Sequence, residues 1–95
     1  MAAYALAESI EVTDPNTMAE YGKLARESIA QYDGKVLAAG PTETIEGDWT
    51  PNRLVLIEFE SMEKLKTWYN SPEYAELKKL RQSASKGNLI FAEGT

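Results

Sequence analysis

The sequence predicts an α+β sandwich, a ferredoxin-like βαββαβ arrangement, and three observations carry that reading. Residues Tyr4 to Val12 alternate with period two, Met18 to Tyr32 repeat apolar residues at spacings of three and four, and Leu54 to Phe59 form an apolar run led by Arg53. A period of two marks a strand and a period near 3.6 marks a helix. An apolar β-branched run with no solvated side marks a strand that must be covered on both faces.

The first strand places Tyr4, Leu6, Ile10 and Val12 on one face and Ala3, Ala5, Ala7 and Ser9 on the other. The second face is small, as a closely packed neighbour requires, and Glu8 interrupts the large one. Thr13, Asp14 and Pro15 then open a helix: Asp14 is placed to cap free amides, and Pro15 is tolerated where its missing N–H would be unpaired anyway. The helix should run to about Tyr32, with Met18, Tyr21, Leu24, Ala25, Ile29 and Tyr32 as its apolar stripe. Asp33 and Gly34 should close it, Gly34 supplying the left-handed cap.

Lys35 to Ala39 reads as a second strand, broken at Gly40 and Pro41 and continued by Thr42 to Ile45. Proline cannot donate to a strand ladder, so this strand belongs at a sheet edge. An acidic loop with Glu46, Gly47, Asp48 and Trp49 leads into the third strand. On that strand Leu54, Leu56 and Glu58 share one side, and Arg53, Val55, Ile57 and Phe59 the other.

Ser61 caps a short helix that turns Met62, Leu65, Trp68 and Tyr69 inward and ends at Asn70. Ser71 and Pro72 restart the chain as a second helical piece, with Glu73 near its positive end and Tyr74, Leu77 and Leu80 on its apolar face. Ser83 to Asn88 reads as a linker, and Leu89 to Ala92 as a last short strand. Helical crossovers in this order should bring the first and third strands to the centre as parallel neighbours, with the helices on one sheet face. The other face would be bare although its strands are apolar. A homodimer stacking two such faces by two-fold symmetry is the simplest cover.

Composition narrows the chemistry. The 95 residues make one domain, 1–95, and a chain of this length buries only roughly 60–70% of its unfolded surface, which again favours a partner. A formal charge of −5 argues against nucleic acid, whose binding needs clustered Lys and Arg. With no Cys and no His there is no thiolate nucleophile, no disulfide and no histidine ligand for a metal or haem. No apolar run approaches the ~20 residues of a membrane helix, and residues 1–7 do not resemble a secretory signal, so a cytoplasmic protein without a membrane role is expected.

Four separated blocks occur in a recognisable order: Tyr4 to Val12 with Thr13, Asp14 and Pro15; Tyr21 and Gly34; Glu46 to Trp49 with Arg53, Glu58, Phe59 and Ser61; and Trp68 with Ser71 to Tyr74. Together they resemble the small, mostly bacterial family known as domain of unknown function thirteen-thirty. The resemblance implies a dimeric α+β barrel, a superfamily that includes cofactor-free monooxygenases, isomerases, haem-binding enzymes and stress-response barrels. It implies no particular activity, and the absence of histidine sets the haem branch aside.

Six residues are candidates for a site. Glu8 and Glu58 sit inside apolar strands, where a carboxylate is costly to ionise without a partner; both could equally be satisfied by a nearby Tyr, Lys or backbone group. Arg53 could hold a carboxylate or an anionic ligand oxygen bidentately, although strand parity sets it opposite Glu58. Trp49, with Asp48 beside it, could cap a pocket mouth or form a hydrophobic lid. Tyr74 could point its hydroxyl into the same cleft or be a core aromatic.

The leading expectation is a homodimer whose cleft, lined by Trp49, Arg53, Glu58 and Tyr74, binds a small molecule. It would do so without cofactor or metal, as an enzyme acting on a small organic acid or enol, with Arg53 holding an oxygen and a carboxylate of raised pKa moving a proton. The alternative is a non-catalytic structural or ligand-binding homodimer.

Overall fold

A computed structural model describes all residues, Met1–Thr95. Seven elements follow in order: β1 (Ala3–Val12), α1 (Pro15–Gln31), β2 (Lys35–Gly40), β3 (Arg53–Phe59), α2 (Met62–Tyr69), α3 (Pro72–Ala84) and β4 (Ser85–Glu93). The strands form one sheet in the order β2-β3-β1-β4. This is the ferredoxin-like α+β arrangement, with β2 at an edge.

The helices start where side chains can satisfy their first amides. Asp14 accepts from the Thr17 amide at 3.2 Å and from the Thr17 hydroxyl at 2.7 Å. Ser61 and Ser71 do the same for α2 and α3 through the amides of Lys64 and Tyr74, each at 3.2 Å. Asn70 ends α2 and Ser71 immediately starts α3, so the kink between them is a change of cap rather than a bend in one helix.

The central strands β1 and β3 run antiparallel, which corrects the expectation of parallel neighbours. Because α1 carries the chain back across the layer, β1 and β2 point the same way; β3 follows β2 through a loop and reverses between them. The register pairs Tyr4 with Glu58, Leu6 with Leu56 and Glu8 with Leu54. Glu8 and Glu58 therefore share a face but lie at opposite ends of the ladder.

Other boundaries move as well. Residues 41–45 form no strand. Ser83 and Ala84 belong to α3, while Ser85 to Asn88 belong to β4, where pairing with Glu8 to Val12 recruits small and polar residues into the ladder. At the end of α1 it is Asp33, at φ 63°, that takes the left-handed conformation. Gly34 serves a different need: a Cβ there would lie 2.7 Å from Ile29 Cγ2 and 2.7 Å from the Phe59 ring.

All three helices cover one sheet face. Ala3 and Ala5 have no exposed surface and pack there with Ile29, Ile57, Phe59, Leu65, Trp68 and Tyr74. The aromatic core is also polar where it must be. Trp68 Nε1–H donates to Ser28 Oγ at 3.1 Å, and the Ser28 hydroxyl donates to the Ala25 carbonyl at 2.8 Å, so neither buried group is orphaned.

The opposite face has no covering layer, and the molecule is a slab of 33 × 31 × 16 Å. Only 12 of 95 residues are buried, and the exposed large apolar residues include Ile10 and Ile90, each more than half exposed on this side. By register and alternation the open face carries an apolar centre of Leu6, Leu54, Leu56 and Ile90 between a Tyr4–Glu58 end and a Glu8–Asn88 end.

Candidate functional site

Glu8 stands near the open end of β1, between Leu54 on β3 and Asn88 on β4. The segment joining β2 to β3 folds back over this end of the sheet. Thr42 Oγ1–H donates to the Pro51 carbonyl and Thr44 Oγ1–H to the Trp49 carbonyl, each at 2.6 Å, and Asn52 Nδ2–H reaches the Ile10 carbonyl at 3.3 Å. These bonds give the segment a shape without helix or strand. They bring the Trp49 indole N–H to Glu8 Oε2 at 2.9 Å. Asn88 Nδ2–H donates to the other oxygen, Oε1, also at 2.9 Å.

Hydrogen bonds to a carboxylate favour its charged form, so Glu8 is held below the usual carboxylate range, chiefly by Asn88 and then by Trp49. This is opposite to the raised carboxylate expected of a proton shuttle. Leu6, Leu54 and Ile90 complete a cavity of about 260 Å³ with Glu8, Trp49 and Asn88. No Lys or Arg lines it.

At the other end of the face, Tyr4 O–H donates to Glu58 Oε2 at 3.1 Å, and this bond raises the Tyr4 pKa because losing the phenolic proton would set two negative charges together. Lys35 lies across from Glu58 on β2 but forms no ion pair with it.

Two candidates do not reach the open face. Tyr74 is 1% exposed beneath the helices, with its ring 4.3 Å from that of Trp68 and its hydroxyl 2.7 Å from that of Tyr21. Burial pushes its hydroxyl pKa strongly upward. Arg53 pairs with Ser9, on the helix-side parity of its strand, and makes neither ion pair nor side-chain hydrogen bond. Asp48 is exposed beside Trp49. Trp49, Arg53, Glu58 and Tyr74 thus do not line one cleft. The residues that do meet are Glu8, Trp49 and Asn88, and Asn88 went unnoticed in the sequence because it sits in a small, polar stretch.

The order of elements and the sequence agree with a known family. A family model described as a domain of unknown function, DUF1330, matches residues 2–95. The chain belongs to that family. No curated protein matches it. Among solved structures, a protein of unknown function from Rhodopseudomonas palustris is 20% identical with a TM-score of 0.78, the match covering 99% of this chain and 82% of that one. A protein from Jannaschia sp. CCS1, described as dimeric, ferredoxin-like and of unknown function, superposes with a TM-score of 0.79 at 12% identity over 99% of this chain and 100% of that one. An ethyl tert-butyl ether d (ethd) family protein from Bacillus halodurans C-125 gives 0.71 at 16% identity, covering 100% of both chains. At these identities the likeness shows the fold that DUF1330 shares with them.

The DUF1330 chain has no group of three or more acidic side chains placed to hold a metal ion, and no helix long and apolar enough to cross a membrane. A second depression, about 440 Å³, runs between α1 and the edge strand β2. Six of its eight lining residues are apolar and Arg26 is its only ionisable one, so it offers less chemistry than the Glu8 pocket.

Proposed function

We propose that this DUF1330 protein is a homodimer that binds a small, largely apolar molecule between the two open sheet faces, with Glu8 as the polar anchor. The single observation that supports this most is the Glu8 carboxylate, oriented by Trp49 and Asn88 at the edge of an apolar cavity on the sheet face that no helix covers. A few convergent polar groups on an apolar floor are what ligand sites are made of, and about 260 Å³ is near the low end for one. A second copy stacked on this face would deepen and close the cavity. The relative from Jannaschia described as dimeric is consistent with that assembly.

Binding is favoured over proton transfer. A carboxylate held in its charged form is a weak base, and no raised carboxylate or free cation faces the same pocket. The cofactor-independent enzyme remains the second reading, and it fits an enol better than an organic acid: an enol O–H can donate to a lone pair that Trp49 and Asn88 leave free, whereas a carboxylate would meet a like charge.

Crystallising the chain and inspecting the space over Glu8 tests the proposal. The expected result is a two-fold dimer with a closed cavity bounded by Glu8, Trp49 and Leu6, wide enough for a small organic molecule. A dry interface in which Leu6, Leu54 and Ile90 of one copy fill that space on the other would leave a purely structural dimer.

A further inference from the structure

We infer that the Glu8 pocket selects a cation: a primary ammonium group on a short apolar body. The inference rests on the reading that the open face holds a small molecule, and it names the charge of that molecule.

Both donors that Glu8 receives, the Trp49 indole N–H and the Asn88 amide, are neutral, so they fix the carboxylate in place without cancelling its charge. Each carboxylate oxygen has a further lone-pair direction beyond the one already used. The remaining lining residues, Leu6, Leu54 and Ile90, offer neither donors nor charge. On the strand pairing, Lys86 lies two residues along β4 from Asn88 and pairs with Glu11, yet it forms no ion pair with Glu8. Lys35 stands at the far end of the face, across from Glu58.

Covering this face removes water from the carboxylate, and a desolvated charge with no opposite charge is strongly unfavourable. No lysine of the same chain pairs with Glu8, so a cation that enters with the occupant of the cavity is the direct way to balance its charge. An alcohol or enol would supply a hydrogen bond without charge, and a carboxylate would supply repulsion. An ammonium group supplies three donors and the charge together. The formal charge of −5 biases encounter in the same direction.

The test uses three ligands of nearly the same shape: 3-methylbutylamine, 3-methylbutan-1-ol and 3-methylbutanoate. Each is titrated into the isotope-labelled full-length chain, and the Trp49 indole N–H and the Asn88 side-chain amide are followed by two-dimensional NMR. The amine should shift both signals saturably, binding about ten-fold more tightly than the alcohol, while the acid leaves them unmoved. Glu8→Gln should remove that ten-fold advantage and keep the alcohol's weak binding, which also shows that the variant is folded.

Alcohol binding equal to amine binding, preferential binding of the acid, or an amine affinity unchanged by Glu8→Gln would each overturn the cation assignment while leaving the ligand site standing. Silence from all three ligands would overturn the assignment together with the ligand-site reading on which it rests.

Discussion

Gly34 offers a sharp test of how this core is built, because the sequence suggests a flexible cap at a position where the structure needs empty space. In Gly34→Ala the added methyl would sit 2.7 Å from Ile29 Cγ2 and from two carbons of the Phe59 ring. Ordinary carbon contacts lie near 3.5–4.0 Å, so roughly 1 Å must be found. Phe59 cannot yield easily: it is 1% exposed, and its ring lies 5.4 Å from that of Trp68. Overpacking of this kind costs about 1–3 kcal/mol, and two rigid neighbours place the expected loss in the upper half, about 2–3 kcal/mol. For a domain of this length each kcal/mol moves Tm by roughly 4–8 °C, so Gly34→Ala should melt about 10–20 °C below wild type. Circular dichroism melts and urea titrations measure this, with Asp33→Gly as the control. Asp33 holds the left-handed φ, so glycine there should be close to neutral. A Gly34→Ala protein as stable as wild type, or stabilised by about 0.4–1 kcal/mol through its less flexible unfolded chain, would refute the packing argument.

Three further outcomes are expected. Tyr74→Phe leaves the Tyr21 hydroxyl without its 2.7 Å partner and should cost about 1–2 kcal/mol in urea unfolding with no change in ligand binding; a ligand-binding defect larger than the stability loss would return Tyr74 to the site. Arg53→Ala removes an exposed, unpaired side chain and should shift stability by no more than about 0.5 kcal/mol, while a larger loss in thermal denaturation would reveal a partner for Arg53 in solution. Glu8 has a folded-state pKa below its ordinary value of 4.5, so its contribution is fully present above pH 4.5 and is lost as pH falls through the depressed value. The acid limb of a stability-versus-pH curve should accordingly be shallower in Glu8→Gln than in wild type, and identical limbs would contradict the Trp49 and Asn88 bonds.

Much of the fold was legible because strand and helix periods differ. Alternation in Arg53 to Phe59 already set Val55, Ile57 and Phe59 apart from Leu54, Leu56 and Glu58, and these became the covered and open faces. Asp14, Ser61 and Ser71 announced their helices by the chemistry of capping. Direction was less legible, since no period says whether β3 returns parallel or antiparallel to β1. The start of β4 was hidden because Ser85, Lys86, Gly87 and Asn88 carry no strand signal of their own and are held by pairing with β1.

The site was legible in part. Glu8 stood out as a charge inside an apolar strand and Trp49 as an aromatic residue in an acidic loop. Their contact depends on how the segment around Thr42, Thr44 and Asn52 folds back, which follows from individual hydrogen bonds rather than from a pattern. Tyr74 was associated with the cleft because helical phase shows that a residue points inward without showing which side of the sheet it meets. Parity alone had already separated Arg53 from Glu58.

Sedimentation equilibrium of the wild-type chain at micromolar concentration, beside Leu56→Lys, tests directly whether the open face is the working surface of this protein. Leu56 pairs with Leu6 at the middle of that face, and a lysine there would set a charge against its own copy across a two-fold axis. The wild type should have twice the mass of one chain, and Leu56→Lys the mass of one chain with its helical circular dichroism intact. A monomeric wild type, or a Leu56→Lys protein that still dimerises with undiminished affinity, would contradict the account.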